Sequence, residues 1–228
     1  MADTKTLMDV FQICDSTFPI GTFNHSFGME NYLVNRKIKK APQFKCWLMN
    51  YFRSQYCFGE GLLTLLCEEA TLTEILRYDD LMTKSTLAKE TRDGTKLIAR
   101  QMYLLIQKIY GDVFPLLNGY VEAVEEGKAY GNPALVFAIF AYAKGLSSQE
   151  VFTLYGYSVA STLTQNAVRS VPLGQREGQV ILHDVIKEIE GLYENVCTFD
   201  EDYLGANSPG LEIAQILHES QAARLFMS

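Results

Sequence analysis

No two of the five cysteines, Cys14, Cys46, Cys57, Cys67 and Cys197, stand in C-x-x-C spacing, and their number is odd. A disulfide framework and a zinc knuckle are both disfavoured, and the thiols read as reduced, mostly buried apolar groups. Histidine is as scarce. His25, His183 and His218 lie far apart, and Ala222 stands where an H-E-x-x-H pair beginning at His218 would need its second histidine. The phosphate-binding string G-x-x-x-x-G-K-[ST] and the nucleophile elbow G-x-S-x-G are absent. Gly59-Glu60-Gly61 is half of a dinucleotide fingerprint, without its third glycine or a preceding strand. The paired carboxylates Glu68-Glu69, Glu125-Glu126 and Asp200-Glu201-Asp202 read as solvated faces or loop. The chain therefore carries no standard catalytic or cofactor-binding motif. His25, His218 and a cysteine could still converge in space as a metal site.

Charge and hydropathy exclude further classes. Twenty basic against 27 acidic residues leave a net charge of −7. The charges are spread rather than blocked, which argues against nucleic acid as a partner and in favour of a basic protein surface or a cation. The N-terminal M-A-D-T-K-T has no basic segment leading into an apolar core, so a secretory leader is not expected and a cytoplasmic location is. The apolar run from Asn132 to Ala143 is too short to span a bilayer. The uncharged run from Val151 to Val168 carries Ser, Thr, Gln and Asn throughout, unlike the roughly 20 apolar residues that a span requires. Both predict buried helices, and no membrane contact is expected.

What the chain does have is helical signal. Asn132-Pro133 pairs an N-cap with proline at the first helical position, and Ser147-Ser-Gln-Glu150 and Thr71-Leu-Thr-Glu74 match capping boxes. Apolar residues at helical spacing run through Leu97–Ile109 and Val180–Leu192. The expectation is an all-α, single-domain bundle of about nine or ten helices over residues 1–228. They are placed at 4–14, 25–35, 43–57, 60–70, 73–87, 94–110, 113–126, 133–144, 148–169 and 176–197. The helix from Glu150 to Arg169 is apolar or small on most sides and should be central, so its Ser161, Thr162, Gln165 and Asn166 need internal partners.

Three segments interrupt this pattern. The first, F-P-I-G-T-F-N-H-S-F-G-M-E (Phe18 to Glu30), is a constrained aromatic loop in which Phe18 and Phe27 read as core plugs and Phe23 as a contact for another chain. The second, N-A-V-R-S-V-P-L-G-Q-R-E-G-Q (Asn166 to Gln179), is rich in amides and glycine. It reads either as a surface or interface element or as a capped junction between helices. The third is the tail from about 209 to 228, ending H-E-S-Q-A-A-R-L-F-M-S. It is more apolar than a free chain end, so it should dock on its own body or on a partner.

Together these three segments resemble the urease accessory protein UreF family, in order and spacing, from about Val10 to the last residue. The chain departs at Thr22 and His25, where many members carry glycine and tyrosine, and at Met227, where many carry arginine. The resemblance implies a non-enzymatic chaperone of urease maturation that is all-α and homodimeric. It also implies partners: a UreD/UreH-type accessory protein, a UreG-type GTPase and the urease apoprotein. Nickel would be handled by the complex, and GTP would be bound by the partner GTPase. On this reading Phe23, His25, Arg169, Gln175, Gln179, His218, Arg224 and Phe226 are the candidate partner-binding residues. Phe23 and His25 should lie near the tail, with Arg224 reaching their loop and helping to form the platform for the GTPase. Arg169, Gln175 and Gln179 should form a structural or partner-facing network. Two other readings stay open. One is an all-α enzyme or small-ligand-binding domain with its site in the bundle core, drawing on Ser161, Gln165 and Asn166. The other is direct nickel binding by His25, His218 and Cys14.

Overall fold

A computed structural model describes residues 3–206 and 208–228; Met1, Ala2 and Asn207, which fall in the N-terminal segment and in the 198–208 stretch, lie outside them. The architecture is all-α in a single domain, with no strand among the described residues. In chain order the helices are α1 (Thr4–Cys14), α2 (Met29–Val34), α3 (Ala41–Tyr51), α4 (Glu60–Leu66), α5 (Leu72–Ser85), α6 (Lys89–Tyr110), α7 (Pro115–Glu125), α8 (Pro133–Ala143), α9 (Ser148–Ser170), α10 (Gln175–Val196) and α11 (Pro209–His218). Two 3-10 turns, Thr22–Asn24 and Glu201–Tyr203, and a π-helical turn, Phe52–Tyr56, complete the set.

The strongest sequence signals fix the boundaries they should. Asn132 accepts the amide of Ala134 at 2.8 Å and opens α8, and the Ser147/Glu150 and Thr71/Glu74 boxes open α9 and α5 with reciprocal hydrogen bonds. These side chains satisfy amides that have no partner within the helix.

Other boundaries differ from expectation. The helix placed at 25–35 begins only at Met29, because Phe27 and Gly28 adopt left-handed φ of 50° and 91°. A residue in that region cannot propagate a right-handed helix. The 43–57 helix starts at Ala41, with Pro42 in its first turn, and passes into the π turn after Tyr51. Helix α4 stops at Leu66 rather than at 70, and Glu69 beyond it has a φ of 57°. Helix α6 starts at Lys89, because its first turns are polar and show no apolar stripe for a sequence reading to find. The tail contains a helix of its own, α11, with Pro209 at its first position.

Helix α9 is central, as expected: it packs against α10, α4, α8, α1, α3 and the Thr22–Asn24 turn. Gly156 permits its closest approach, since a Cβ there would stand 2.9 Å from Ile189 Cγ2 and 3.1 Å from the Tyr56 hydroxyl. Helix α8 is even more enclosed, with every residue from Pro133 to Ala141 buried. The aromatic cluster of Phe52, Tyr56, Phe137, Phe152 and Tyr155 fills the space between them, and Tyr56 donates its hydroxyl proton to the Phe152 carbonyl at 2.6 Å. An aromatic hydroxyl buried this deeply requires such an acceptor.

Candidate functional site

The tail turns back after α11 and lies on the loop that precedes α2. Glu30, in the first turn of α2 and almost wholly buried, receives it. Its Oε1 accepts the Leu225 amide at 2.6 Å, and its Oε2 accepts the Phe226 amide at 3.1 Å and sits 3.0 Å from His218 Nε2. The other ring nitrogen, Nδ1, is 2.8 Å from Glu90 Oε2 in the first turn of α6. Only the doubly protonated imidazole donates at both nitrogens. Such pairing is what makes a buried carboxylate tolerable at all.

Arg224 closes the outer side of this cluster. It donates to Glu90 Oε1 at 2.6 Å and to the Gln221 carbonyl at 3.1 Å, and it also reaches the Glu219 carbonyl. Burial alone would push the Glu90 carboxyl up, but the hydrogen bonds from His218 and Arg224 prevail and hold it below its ordinary value. Glu219 in turn accepts the Lys89 amide at 2.7 Å, next to Ala88 at the start of α6. Arg224 is therefore a brace within the tail and onto α6. It does not reach the Phe18–Glu30 loop, which corrects the expectation.

Arg169, near the end of α9, is the arginine that reaches that loop. Its guanidinium donates to the Phe23 carbonyl at 2.7 Å and to Asn166 Oδ1 at 2.6 Å, and it stacks over the Phe23 ring at 3.6 Å from the centroid. It also lies 5.5 Å from the Phe226 ring. Asn166, fully buried, donates to the His25 carbonyl at 2.8 Å and so has the internal partner expected of it, whereas the hydroxyl of Thr164 on the same helix is buried without one.

Two backbone hydrogen bonds then stitch the last residues to the loop, from Met227 N to the Asn24 carbonyl at 2.7 Å and from Ser26 N to the Ser228 carbonyl at 2.6 Å. The Ser228 hydroxyl is 2.7 Å from His25 Nδ1. The His25 ring also rests on Gly94 of α6, where a Cβ would be 2.6 Å from Cε1. Burial, and secondarily the charge on His218, press its pKa below the usual histidine value.

The loop, the tail and the end of α9 thus form one junction, and it contains six of the eight candidate residues. His25, His218 and Phe226 are inside it, while Phe23, Arg169 and Arg224 are on its surface. Phe226 points inward, and its neighbours Leu225 and Met227 point out, with 74% and 59% of their surfaces exposed beside the 52% exposed Phe23. That alternation is what extended backbone imposes. Gln175 and Gln179 lie apart, exposed at the start of α10. They do not join Arg169 in a network.

Two residues that hold the junction together, Glu30 and Glu90, were not among the candidates. Glu30 could have been found, since it ends the aromatic-loop motif. Glu90 carries no local signal.

The junction does not assemble a metal site. Both nitrogens of His218 face carboxylates, and the Cys14 thiol is buried against the Leu154 carbonyl at 3.5 Å, with burial pushing its pKa far up. Among the described residues no group of three or more His, Cys, Asp or Glu side chains is arranged to hold an ion.

Similarity to known proteins gives this geometry a context. A sequence model of the UreF family matches residues 38–186. The chain belongs to the UreF family. It is 48% identical over 225 residues to the urease accessory protein UreF of Streptococcus thermophilus strain LMD-9, covering 97% of this chain and 94% of that protein. It is 38% identical over 226 residues to the protein of the same name from Bacillus sp. strain TB-90, covering 97% and 99%. With the counterpart from Lachnoclostridium phytofermentans the identity is 33% over 226 residues, covering 97% and 98%. These matches extend well beyond residues 38–186, into the parts of the chain that contain the loop and the tail. Membership in UreF ties the chain to urease maturation, in a family named as accessory rather than as enzyme. No described helix is long and apolar enough to cross a membrane.

Proposed function

We propose that this chain is a non-catalytic urease maturation chaperone that bridges a UreD/UreH-type accessory protein and a UreG-type GTPase, so that nickel is delivered to the urease apoprotein with GTP hydrolysis. The observation that carries the reading is the docked tail. It leaves Phe23 exposed under the Arg169 guanidinium, and Leu225 and Met227 exposed on either side of the inward-pointing Phe226, which itself lies 5.5 Å from Arg169. Side chains of these types are the usual anchors of protein interfaces, and truncating one at a hot spot costs on the order of 2 kcal/mol or more.

Within this proposal the buried residues have a different task from the exposed ones. His218, Glu30, Glu90 and Arg224 hold the tail in place, and Phe23 and Arg169 meet the partner. A homodimer would present the patch twice. The GTPase brings the nucleotide site, and the nickel belongs to the complex as cargo.

Arg224→Ala tests the reading. It removes the brace from an otherwise intact bundle, so recruitment of the GTPase in a pull-down with the accessory protein should be lost while the helical circular dichroism is retained. Undiminished recruitment with a released tail would sink it. Phe23→Ala separates the two tasks: it should weaken recruitment while the tail stays protected from hydrogen exchange.

A further inference from the structure

A cavity of about 240 Å³ lies between the π turn, α4, α5, α6 and the 130–132 loop, with Gln215 of α11 also in its wall. Its wall includes Phe27, Tyr51, Gln55, Glu60, Met82 and Thr95. Four of these, Phe27, Tyr51, Glu60 and Thr95, also line a narrow extension of about 30 Å³ that runs inward to Tyr155, Ser158 and Thr162 of α9. The bundle core thus has an accessible interior, and Glu60 stands where its two parts meet. Neither part is lined by Ser161, Gln165 or Asn166, the residues considered for a core site from the sequence.

Two acceptors in this wall stand out, one without a counter-charge and one without a hydrogen-bond partner. Glu60 is half-buried at the start of α4 and has the Tyr155 hydroxyl as its hydrogen-bonding neighbour, with no ion-pair partner among the described residues. The basic side chains at the cavity do not neutralise it. Arg92 is turned onto the Thr86 and Leu87 carbonyls, at 2.7 Å each, and Lys96 and Asp93, which also line the cavity, are solvent-exposed. The other titratable groups around Glu60 are Tyr51, Tyr56 and Tyr155, all kept neutral by burial. Gln55 is the second case, with its Oε1 shut off from solvent and without a hydrogen-bond partner. A desolvated carboxylate without a counter-charge and a buried amide oxygen without a donor are both costly. The π turn that carries Gln55 is a local irregularity of the kind that often accompanies binding sites.

We propose that this cavity is a binding site for a small organic cation bearing N–H donors, a protonated primary amine of a few carbons. The ammonium donates to Glu60 and Gln55, and its hydrocarbon part lies against Phe27, Tyr51 and Met82. Aromatic walls favour a cation further. A divalent ion is a poorer match, since one carboxylate and one amide oxygen fall short of the roughly six to eight oxygens such an ion takes. Burial raises the Glu60 carboxyl to about 7, so the acceptor form grows as the solution passes from mildly acidic to mildly basic. Amine affinity should rise over the same interval.

The test uses the full chain and n-butylammonium as the probe, followed by calorimetry and by chemical-shift changes of residues lining the cavity. Saturable binding is expected in the millimolar range, weakened about tenfold or more in Glu60→Gln. Affinity in the wild type should fall as pH is lowered from about 8 to about 6, because the Glu60 carboxylate is converted to the neutral acid over that interval. Gln55→Leu, which leaves the carboxylate untouched, should weaken binding less, and both variants are checked for native circular dichroism. Equal binding of 1-butanol, unchanged affinity in Glu60→Gln, or shifts confined to the outer surface would overturn the proposal. So would the absence of saturable binding at tens of millimolar.

Discussion

The α8–α9 interior and the loop–tail junction are both buried, yet they are held together by opposite means. Around α8 the contacts are those of Leu135, Phe137, Ile139 and Phe140, all essentially without solvent exposure. Their stabilisation comes from area removed from water, which is non-directional and indifferent to pH. At the junction Glu30, His218, Glu90, Asn166 and Arg169 are joined by oriented hydrogen bonds over a small apolar contact. Removing one member there leaves its partners buried and unsatisfied, so the loss is local and large. A core of the first kind unfolds as a whole. A junction of the second kind can open while the bundle persists, which is the property a partner-dependent surface requires.

The most damaging way to probe the contrast is Phe140→Ala, which should cost about 3–5 kcal/mol and lower the melting temperature of the entire chain. Hydrogen exchange should then rise throughout the bundle, not in the tail alone. Glu30→Ala comes next, at about 3 kcal/mol of tail docking, because it leaves His218 and two backbone amides without their acceptor. Exchange at residues 219–228 should speed up strongly while the main thermal transition moves much less. If the whole bundle melted earlier in step with the tail, the two regions would not be separable.

Gly94→Ala should be destabilising by about 1–3 kcal/mol through overpacking, despite alanine's helix propensity, because its Cβ meets the His25 ring. The contact between His25 and Ser228 should be disturbed with it, read by the imidazole resonances of His25.

The pH dependence is smaller and has a worked sign. His25 titrates lower in the folded state than unfolded, so below about pH 6.5 the unfolded chain binds the extra proton and stability falls with acid. The slope from one such group is at most about 1.4 kcal/mol per pH unit. Glu90, held low by its partners, adds to the loss at more acid pH, below the ordinary glutamate value. Glu60 acts in the opposite sense. Its carboxyl, raised to about 7, makes the folded state bind more protons, so that contribution weakens stability as pH rises from the ordinary glutamate range to about 7. Comparing melting temperatures of wild type and His25→Gln between about pH 7.5 and 5.5 isolates the histidine, whose removal should flatten the acid loss. The smallest effect belongs to Gln175→Ala and Gln179→Ala, within about 0.5 kcal/mol on stability because both side chains are exposed. Loss of partner binding in either would mark the start of α10 as a second contact, separate from the tail.

Local chemistry was legible wherever a short-range rule applied. Asn132-Pro133, Ser147 with Glu150 and Thr71 with Glu74 each start a helix, since capping needs only residues within one turn of each other. The same locality explains the misses. The delayed start of α2 follows from positive φ at Phe27, an ordinary residue by sequence, held there as the loop packs against α11 through the Gln215 hydrogen bond to the Phe27 carbonyl. The early turns of α6 have no apolar pattern because Glu90 and Gly94 there serve the tail and the His25 ring instead of the core.

By itself the sequence determined the all-α class, the central place of the helix after Ser147 and the family, because periodicity, caps and short motifs are properties of neighbouring residues. Which arginine meets the aromatic loop, and that Glu30 and Glu90 clasp His218, were decided only by the tertiary structure. Those partners lie 128 to 188 residues apart in the chain for His218 and 146 apart for Arg169 and Phe23. No local rule couples groups at such separations; the packing of α2, α6, α9 and α11 brings them within hydrogen-bonding distance.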